Sequence, residues 1–450
     1  MSVEDCHDDE AVVIGKYPRE TTDDIVKIEG ESVDYSKSLN ASTYTAGWVL
    51  SSLRTNDQVY RNKFHSRKVK DITYFDVSGG KGFVSIILRC TVIFEDSVDE
   101  KDVYTTILKI PGLESINENN EKGDKLVDVN KFAHNMTVIH EFECDFYTQL
   151  APLLEIPIPK VFKTVSWIMN KQEGCIHMED LTTKGKVMTF FDSLNLTQLR
   201  GIVKHVAHMH KQVLMMKVED WKGKFLENQT MFVKITDTAG KCIESFRKLF
   251  GDQYPTVIPL VEKYEKFCCN TEFSEYAFAQ SYKDLNLTPV FVHGDMWTSN
   301  ILMAIDENGD FTNQVAAFVD WQFVHRGSPM DDIARVFTIC TDGNIRREAE
   351  SYLLKYYLDT LSSELASEGL KAPYTLEELQ EAYDYMFMAE AIHPLFMTIY
   401  LERTLKKEPH LETINKAKLD KVVLRTIHCL EDLDRLLSGK YKHVFDKYGK

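Results

Sequence analysis

The sequence predicts an α+β protein of two lobes, the first rich in strands and the second mostly helical. Apolar runs of strand length at 83–94 and 103–110, with two more between Val161 and Leu181, fall within the first 181 residues. Beyond them the spacing changes to threes and fours. Leu196, Leu199, Ile202, Val203, Val206, Met209 and Val213 fall on one side of a long helix. A single pair of apolar runs, 290–303 and 315–323, interrupts the helical part.

Taken in order, residues 1–40 are polar, acidic and aperiodic, which predicts a loosely ordered extension before a first lobe at 41–181 and a second at 182–450. TYTAGWVLSSL (43–53) has the pattern of a first helix. FVSIILRCTVIF (83–94) follows the glycine-rich SGGKG (78–82), and VYTTILKI (103–110) follows in turn. The charged stretch 113–130 reads as an exposed loop. A helix is expected at 135–151 with Val138, Phe142, Phe146 and Leu150 as its apolar stripe, stopped by Pro152, Pro157 and Pro159. VFKTVSWIM and GCIHMEDL then supply the last strands of the first lobe. In the second lobe IDENGD (305–310) makes a turn, with Asn308-Gly309 as its hairpin signal, and helical patterns run from 345 to 439.

Bulk properties exclude several classes. With 53 Lys and Arg against 69 Asp and Glu, the net charge is −16, unsuited to a nucleic-acid surface or to anionic lipid. MSVEDCHDDEAVV at the start has no apolar core of a secretory signal, and the nine cysteines include no C-x-x-C pair, so a reducing, cytoplasmic setting is expected. The most apolar window, 385–401, contains Glu390, His393 and Pro394, which argues against a membrane span.

The chemistry is concentrated in VFVHGDMWTSNILM (290–303) and VAAFVDWQF (315–323). His293, Asp295 and Asn300 form an H-x-D-x-x-x-x-N set, with Asp320 on the next run. Phosphoryl transfer needs one carboxylate to orient the acceptor hydroxyl, while an amide oxygen and a second carboxylate hold Mg²⁺ on the phosphates. An Asp–Asn offset of five lets one tight loop carry both groups before the chain re-enters a strand. Asp295 is the expected base and Asn300 and Asp320 the expected metal ligands; His293 completes the catalytic loop, supporting it through hydrogen bonds.

HGDMWTSNILM together with FVDWQFVHRGSPMDDIARV resembles the ecdysteroid-kinase-like, or CHK-kinase-like, proteins of the choline kinase and aminoglycoside phosphotransferase group. The resemblance runs over roughly residues 75–400 and implies a protein-kinase-like fold, with ATP and Mg²⁺ as cofactors. It supports the roles given to Asp295, Asn300 and Asp320, and implies that Asp332 braces the catalytic loop. Capping of a helix N-terminus explains Asp332 equally well. SGGKG departs from G-x-G-x-x-G and lacks P-loop spacing; Gly80, Gly82 and Ser85 resemble the family's phosphate-covering hairpin. A strand lysine and a helix glutamate are also implied. Lys109 and Glu143 fit, with Glu141 as the rival for the second role. HMEDL (177–181) stands where the family places its hinge, so Met178, Glu179 and Asp180 are expected along the adenine edge.

The implied acceptor is a small-molecule hydroxyl. YDYMFMAEAIHPLFMTIY (383–400) is rich in aromatic and methionine side chains, most of them expected in the core. Such a wall suits a lipophilic, sterol-like alcohol, or, with Glu390, a choline-like cation. Protein kinase activity fits least, since HGD replaces HRD and neither D-F-G nor A-P-E is present. From a different class, the chain could be a catalytically silent binder of nucleotide or of a lipophilic ligand. His205, His208 and His210 are spread around their helix with no carboxylate expected to join them, so zinc is not expected there, and DENGD lacks the order of a calcium loop.

Overall fold

The structure is a computed structural model that describes residues 25–40, 42–77, 85–112, 129–217, 239–406 and 408–450. It divides into two compact units: Met1–Pro152 with Pro159–Leu181, and Leu153–Ile158 with Thr182–Lys450. The first is sheet-rich and the second mostly helical.

In the first unit an antiparallel sheet is ordered β1-β2-β3-β5-β4, from β1 (Val69–Asp76), β2 (Ser85–Phe94), β3 (Val103–Pro111), β4 (Val161–Val165) and β5 (Cys175–Glu179). Alternation along β2 puts Leu88, Cys90, Val92 and Phe94 on the buried face, as a period of two requires. Two helices supply the rest of that core, α1 (Ala46–Asn56) and α2 (Gln58–Phe64). Each begins where a side chain takes up orphan amides: Thr45 accepts from Trp48 N, and Asp57 from Val59 N and Tyr60 N. Trp48, Leu53 and Tyr60 pack with Leu88 and Leu108.

Three details differ from the sequence reading. Val33 and Leu39 are buried in this core, so the end of the segment read as a loose extension is packed; residues 1–24 lie outside the described residues. β1 escaped notice because it is an edge strand with a mixed pattern, its Phe75 being 69% exposed. The helix expected at 135–151 is α3 (Val129–Asp145), followed by a π turn at Phe146–Leu150. Val138, assigned to its apolar stripe, is exposed, and Phe142 is only half-buried. The buried face runs through Met136, Ile139, His140, Glu143 and Tyr147, joined by Phe146 and Leu150 of the expected stripe, and carries the inward-facing partner of Lys109.

The second unit is built on α4 (Leu196–Met215), opened by a reciprocal Asn195–Gln198 capping box. Of the predicted face it buries Leu199, Ile202, Val203, Val206, Met209 and Val213, while Leu196 at its start is half-buried. α5 (Ala239–Phe250) and α6 (Ile258–Cys268) follow α4 and precede all but the first of the strands of this unit. These form a three-stranded sheet, β6 (Gly185–Val187), β8 (Ile301–Ile305) and β9 (Phe311–Phe318), and a two-stranded one, β7 (Val290–Val292) with β10 (His325–Gly327). Gly309 takes φ +80° in the turn between β8 and β9. The helices after β10 include α7 (Asp331–Cys340), α8 (Gly343–Ser367), α9 (Leu376–Glu390), α10 (His393–Thr404), α11 (Glu412–Ser438) and α12 (Lys442–Tyr448). Among the described residues no helix is long and apolar enough to cross a membrane.

Candidate active site

The chain leaves β7 at Val292, passes through His293-Gly294-Asp295 and reaches Asn300 just before β8. Gly294 has φ +79°, and a Cβ there would overlap the carbonyl oxygen of Phe323, so the turn requires glycine. Asp332, in the first turn of α7, clamps the loop from behind. Its Oδ2 accepts from His293 N at 2.8 Å and its Oδ1 from Gly294 N at 3.0 Å. The N-cap of α7 is Met330, so bracing, not capping, is what the Asp332 carboxylate does. Burial, then the neighbouring Asp331, push Asp332 up to about 7, while the two amides oppose the rise.

His293 is fully buried. Its Nδ1 accepts from Asp295 N (3.2 Å), so Nε2 carries the hydrogen donated to the Val319 carbonyl (2.9 Å). Both ring nitrogens are committed and burial lowers the pKa, which makes this imidazole a neutral strut. Behind it, His325 Nε2 lies 3.3 Å from Asp331 Oδ2; burial opposes charge on His325, but Asp331 raises its pKa overall.

Asn300 Nδ2 donates to the Asp295 carbonyl (2.9 Å) and to Asp295 Oδ2 (3.1 Å). The Asp–Asn offset thus closes on itself as one hydrogen-bonded ring. Val319 N donates to the Asn300 carbonyl at 2.9 Å, and Ile301 pairs with Phe318, which brings Asp320 to the end of β9 next to Asn300. Asp320 adopts φ 65°, ψ 58°, a left-handed conformation that Asp tolerates better than most side chains.

The other oxygen of Asp295 meets a residue not singled out from the sequence. Arg335 Nη2 donates to Asp295 Oδ1 at 2.6 Å, and its Nη1 lies 3.2 and 3.1 Å from the two oxygens of Glu390. Glu390 also accepts from His393 Nδ1. Burial alone would raise the Glu390 pKa, but His393 and then Arg335 bring it down to about 2. The local signal was the D-I-A-R spacing: three residues on from Asp332, Arg335 falls on the same side of α7. Glu390 lies 55 residues further on, and no local pattern pointed to the pairing.

In the first unit, Lys109 Nζ lies 2.5 Å from Glu143 Oε2, with side chains 10% and 1% exposed. Lys109 faces inward from the central strand β3, whereas the rival Glu141 is exposed, which decides between the two glutamates. Ser85 opens β2 opposite Pro111; Gly80 and Gly82 lie outside the described residues. Met178 is buried, and its carbonyl accepts from the Thr106 hydroxyl. The Glu179 carboxylate accepts from Lys160 N, and Asp180 pairs with Arg89 at 2.6 Å, so both side chains have structural partners.

Of the three helix histidines, His208 does meet a carboxylate, Glu364 at 2.7 Å, contrary to expectation. His210 bonds the Tyr357 hydroxyl and His205 packs against Phe318, so each has its own partner. In the 383–400 stretch Tyr383, Met386, Phe387 and Met388 are core residues.

The chain matches a family described as "Uncharacterized oxidoreductase dhs-27" over residues 62–438. It is 28% identical over 365 residues to the Caenorhabditis elegans protein "Uncharacterized oxidoreductase dhs-27", a match that covers 79% of this chain and 42% of that protein. The chain therefore spans less than half the length of that relative. It is 24% identical to the C. elegans "Uncharacterized kinase-like protein D1044.1", covering 74% of this chain and 85% of that one. Among solved structures, choline kinase from Cryptosporidium parvum Iowa II aligns with TM-score 0.48 and 14% identity, over 86% of this chain and 94% of that one. ADP-bound aminoglycoside phosphotransferase APH(2'')-Ib aligns with TM-score 0.36 and 14% identity, over 83% and 99%.

Proposed function

The chain belongs to the family matched over residues 62–438, a CHK-kinase-like group, and we propose that it is an ATP- and Mg²⁺-dependent phosphotransferase acting on a small-molecule hydroxyl. The observation that carries this reading is the closed Asp295–Asn300 ring, braced by Asp332 and set beside Asp320. The oxidoreductase name is carried by the family description and by one relative, of whose length this chain spans 42%.

Asn300 and Asp320 suit Mg²⁺. Among the described residues no three His, Cys, Asp or Glu side chains converge on a metal site, as a cage made wholly of such side chains would require. Mg²⁺ instead takes one or two protein oxygens and keeps its waters and the phosphates. With Nδ2 of Asn300 bound to Asp295, its Oδ1 is the amide atom suited to a metal. Bound there, the ion would neutralise charge developing on the phosphates. Asp295 orients the acceptor hydroxyl and takes its proton; Lys109, positioned by Glu143, neutralises the α- and β-phosphates. The backbone of Met178–Asp180 lies along the adenine edge, and Ser85 belongs with the phosphate-covering hairpin. His293 and Asp332 hold the loop.

For the acceptor, the partners of Glu390 weigh against the choline-like cage, since its carboxylate is buried and already bound to Arg335 and His393. A neutral lipophilic alcohol is the better reading.

The test is thermal unfolding with and without Mg·ATP, on the parent and on Asp320→Asn. Nucleotide at 100 times its dissociation constant stabilises the folded state by about 2.7 kcal/mol. A Mg²⁺-dependent shift lost in Asp320→Asn is expected and opens an acceptor screen, lipophilic alcohols first. No shift in either protein at millimolar nucleotide overturns the reading in favour of a silent binder.

A further inference from the structure

We propose that Arg335 is the positioning residue of the transfer site, and that the buried Glu390–His393 pair exists to hold it. The inference rests on Asp295 being the group that receives the acceptor hydroxyl. A carboxylate in that role has to present one oxygen in one direction, but an aspartate on a loop turns freely about two bonds unless its other atoms are engaged. Here both oxygens are engaged, in unequal ways. Oδ2 is shared with Asn300 at 3.1 Å, in a bond made within the loop itself. Oδ1 is held at 2.6 Å by Arg335, which comes from a different element, α7. The loop bond therefore moves with the loop, and among the described residues the arginine is what ties the carboxylate to the body of the unit.

Arg335 is itself fixed. Its other terminal nitrogen lies between the two oxygens of Glu390, at 3.1 and 3.2 Å, and Glu390 is 1% exposed at the end of α9. His393, three residues on, bonds the same carboxylate from the first turn of α10. A guanidinium is the side chain suited to this place, since its rigid plane can hold two carboxylates at a set angle, which an ammonium cannot. The same helix carries Asp332 three residues earlier, on the backbone of the same loop. One face of α7 thus fixes the main chain of the loop through Asp332 and the working side chain through Arg335. Were the arginine only a core ion pair, Glu390 and His393 would complete it; the 2.6 Å bond to Asp295 is the feature that such a role leaves unexplained.

The experiment compares parent, Arg335→Met, Arg335→Lys and Glu390→Gln by three readouts: the Mg·ATP thermal shift, steady-state ATP turnover with water or the best alcohol of the screen as acceptor, and crystal structures of parent and Arg335→Met. Expected are an unchanged Mg·ATP shift, kcat lowered about 10²-fold in Arg335→Met with KM for ATP unmoved, and partial recovery in Arg335→Lys. Glu390→Gln should fall between parent and Arg335→Met, and Asp295 should take a new side-chain orientation in the Arg335→Met crystal. Parent-like kcat in a folded Arg335→Met overturns the proposal. So does an equal loss of nucleotide shift and turnover, which marks a structural role. If Arg335→Met does not fold, Arg335→Lys and Glu390→Gln with parent-like kcat overturn it. A parent that neither turns over ATP nor shifts with Mg·ATP overturns the phosphotransfer reading instead. In that case the two crystal structures still decide: an Asp295 that stays in place without Arg335 overturns the positioning role.

Discussion

The Lys109–Glu143 pair and the Asp295 loop are both buried polar sites, and they are held in opposite ways. In the first unit, a lysine on the central strand meets a glutamate on one helix, an ion pair between two buried side chains. In the second, Asp295 is bound through Asn300 and Arg335, and its loop through Asp332, His293 and Val319. An ion pair fixes a charge at a point. A mesh fixes a direction, and a proton-accepting carboxylate needs direction more than it needs charge.

Breaking each site should therefore give different results. The largest expected effect is on rate: Asp295→Asn should lower turnover by roughly 10²–10⁴-fold while the Mg·ATP thermal shift stays near the parent's, because the amide keeps the shape and loses the base. A parent-like rate removes Asp295 from the chemistry. Next comes Lys109→Met, which takes the cation away from the buried Glu143 carboxylate and should cost about 3–5 kcal/mol by chemical denaturation. The double variant Lys109→Met/Glu143→Leu should regain much of that stability yet remain inactive. If the double variant is no more stable than the single one, the loss does not come from the buried Glu143 charge and the contrast fails.

The mesh should show its own signature in acid. The folded-state pKa of Glu390 is about 2, below its ordinary value of 4.5. A depressed carboxylate contributes stability above its unfolded pKa, and that contribution is lost as pH falls from about 4.5 toward 2. The loss should be on the order of a few kcal/mol for so buried a group, and Glu390→Gln should flatten that limb of the stability curve. An unaltered acid limb in Glu390→Gln would mean that Glu390 does not carry it. The smallest effect is expected from Glu141→Ala, an exposed neighbour of Glu143, within about 0.5 kcal/mol and with normal turnover.

The contrast also marks what could be read from the chain alone. Lys109 and Glu143 entered only through the family resemblance, with Glu141 as a rival, whereas His293, Asp295, Asn300 and Asp320 stand in short runs whose residue types and spacing have meaning without the rest of the fold. The long face of α4 was legible for the same reason, through its period. Arg335 with Glu390 was not, since the partners sit on separate helices and neither carries a spacing that names the other. The helix around α3 was legible only in part: Phe146 and Leu150 are buried as expected, but the buried face also includes a glutamate, which a search for apolar stripes passes over. β1 was missed because an edge strand with one wet side lacks the strong alternation of a central one. Val33 and Leu39 sit in a polar stretch whose average hides two core residues.

The left-handed backbone at Asp320 also limits how this position can change over time. Aspartate, asparagine and glycine sit there readily; alanine, glutamate and branched residues pay a conformational cost of about 1 kcal/mol or more. A lineage drifting toward silence is thus channelled to asparagine, a weaker ligand, or to glycine, no ligand at all, before the turn itself is lost. Aligned relatives should carry those two residues where they depart from aspartate. A collection rich in alanine or glutamate at this site would show that the turn does not constrain it.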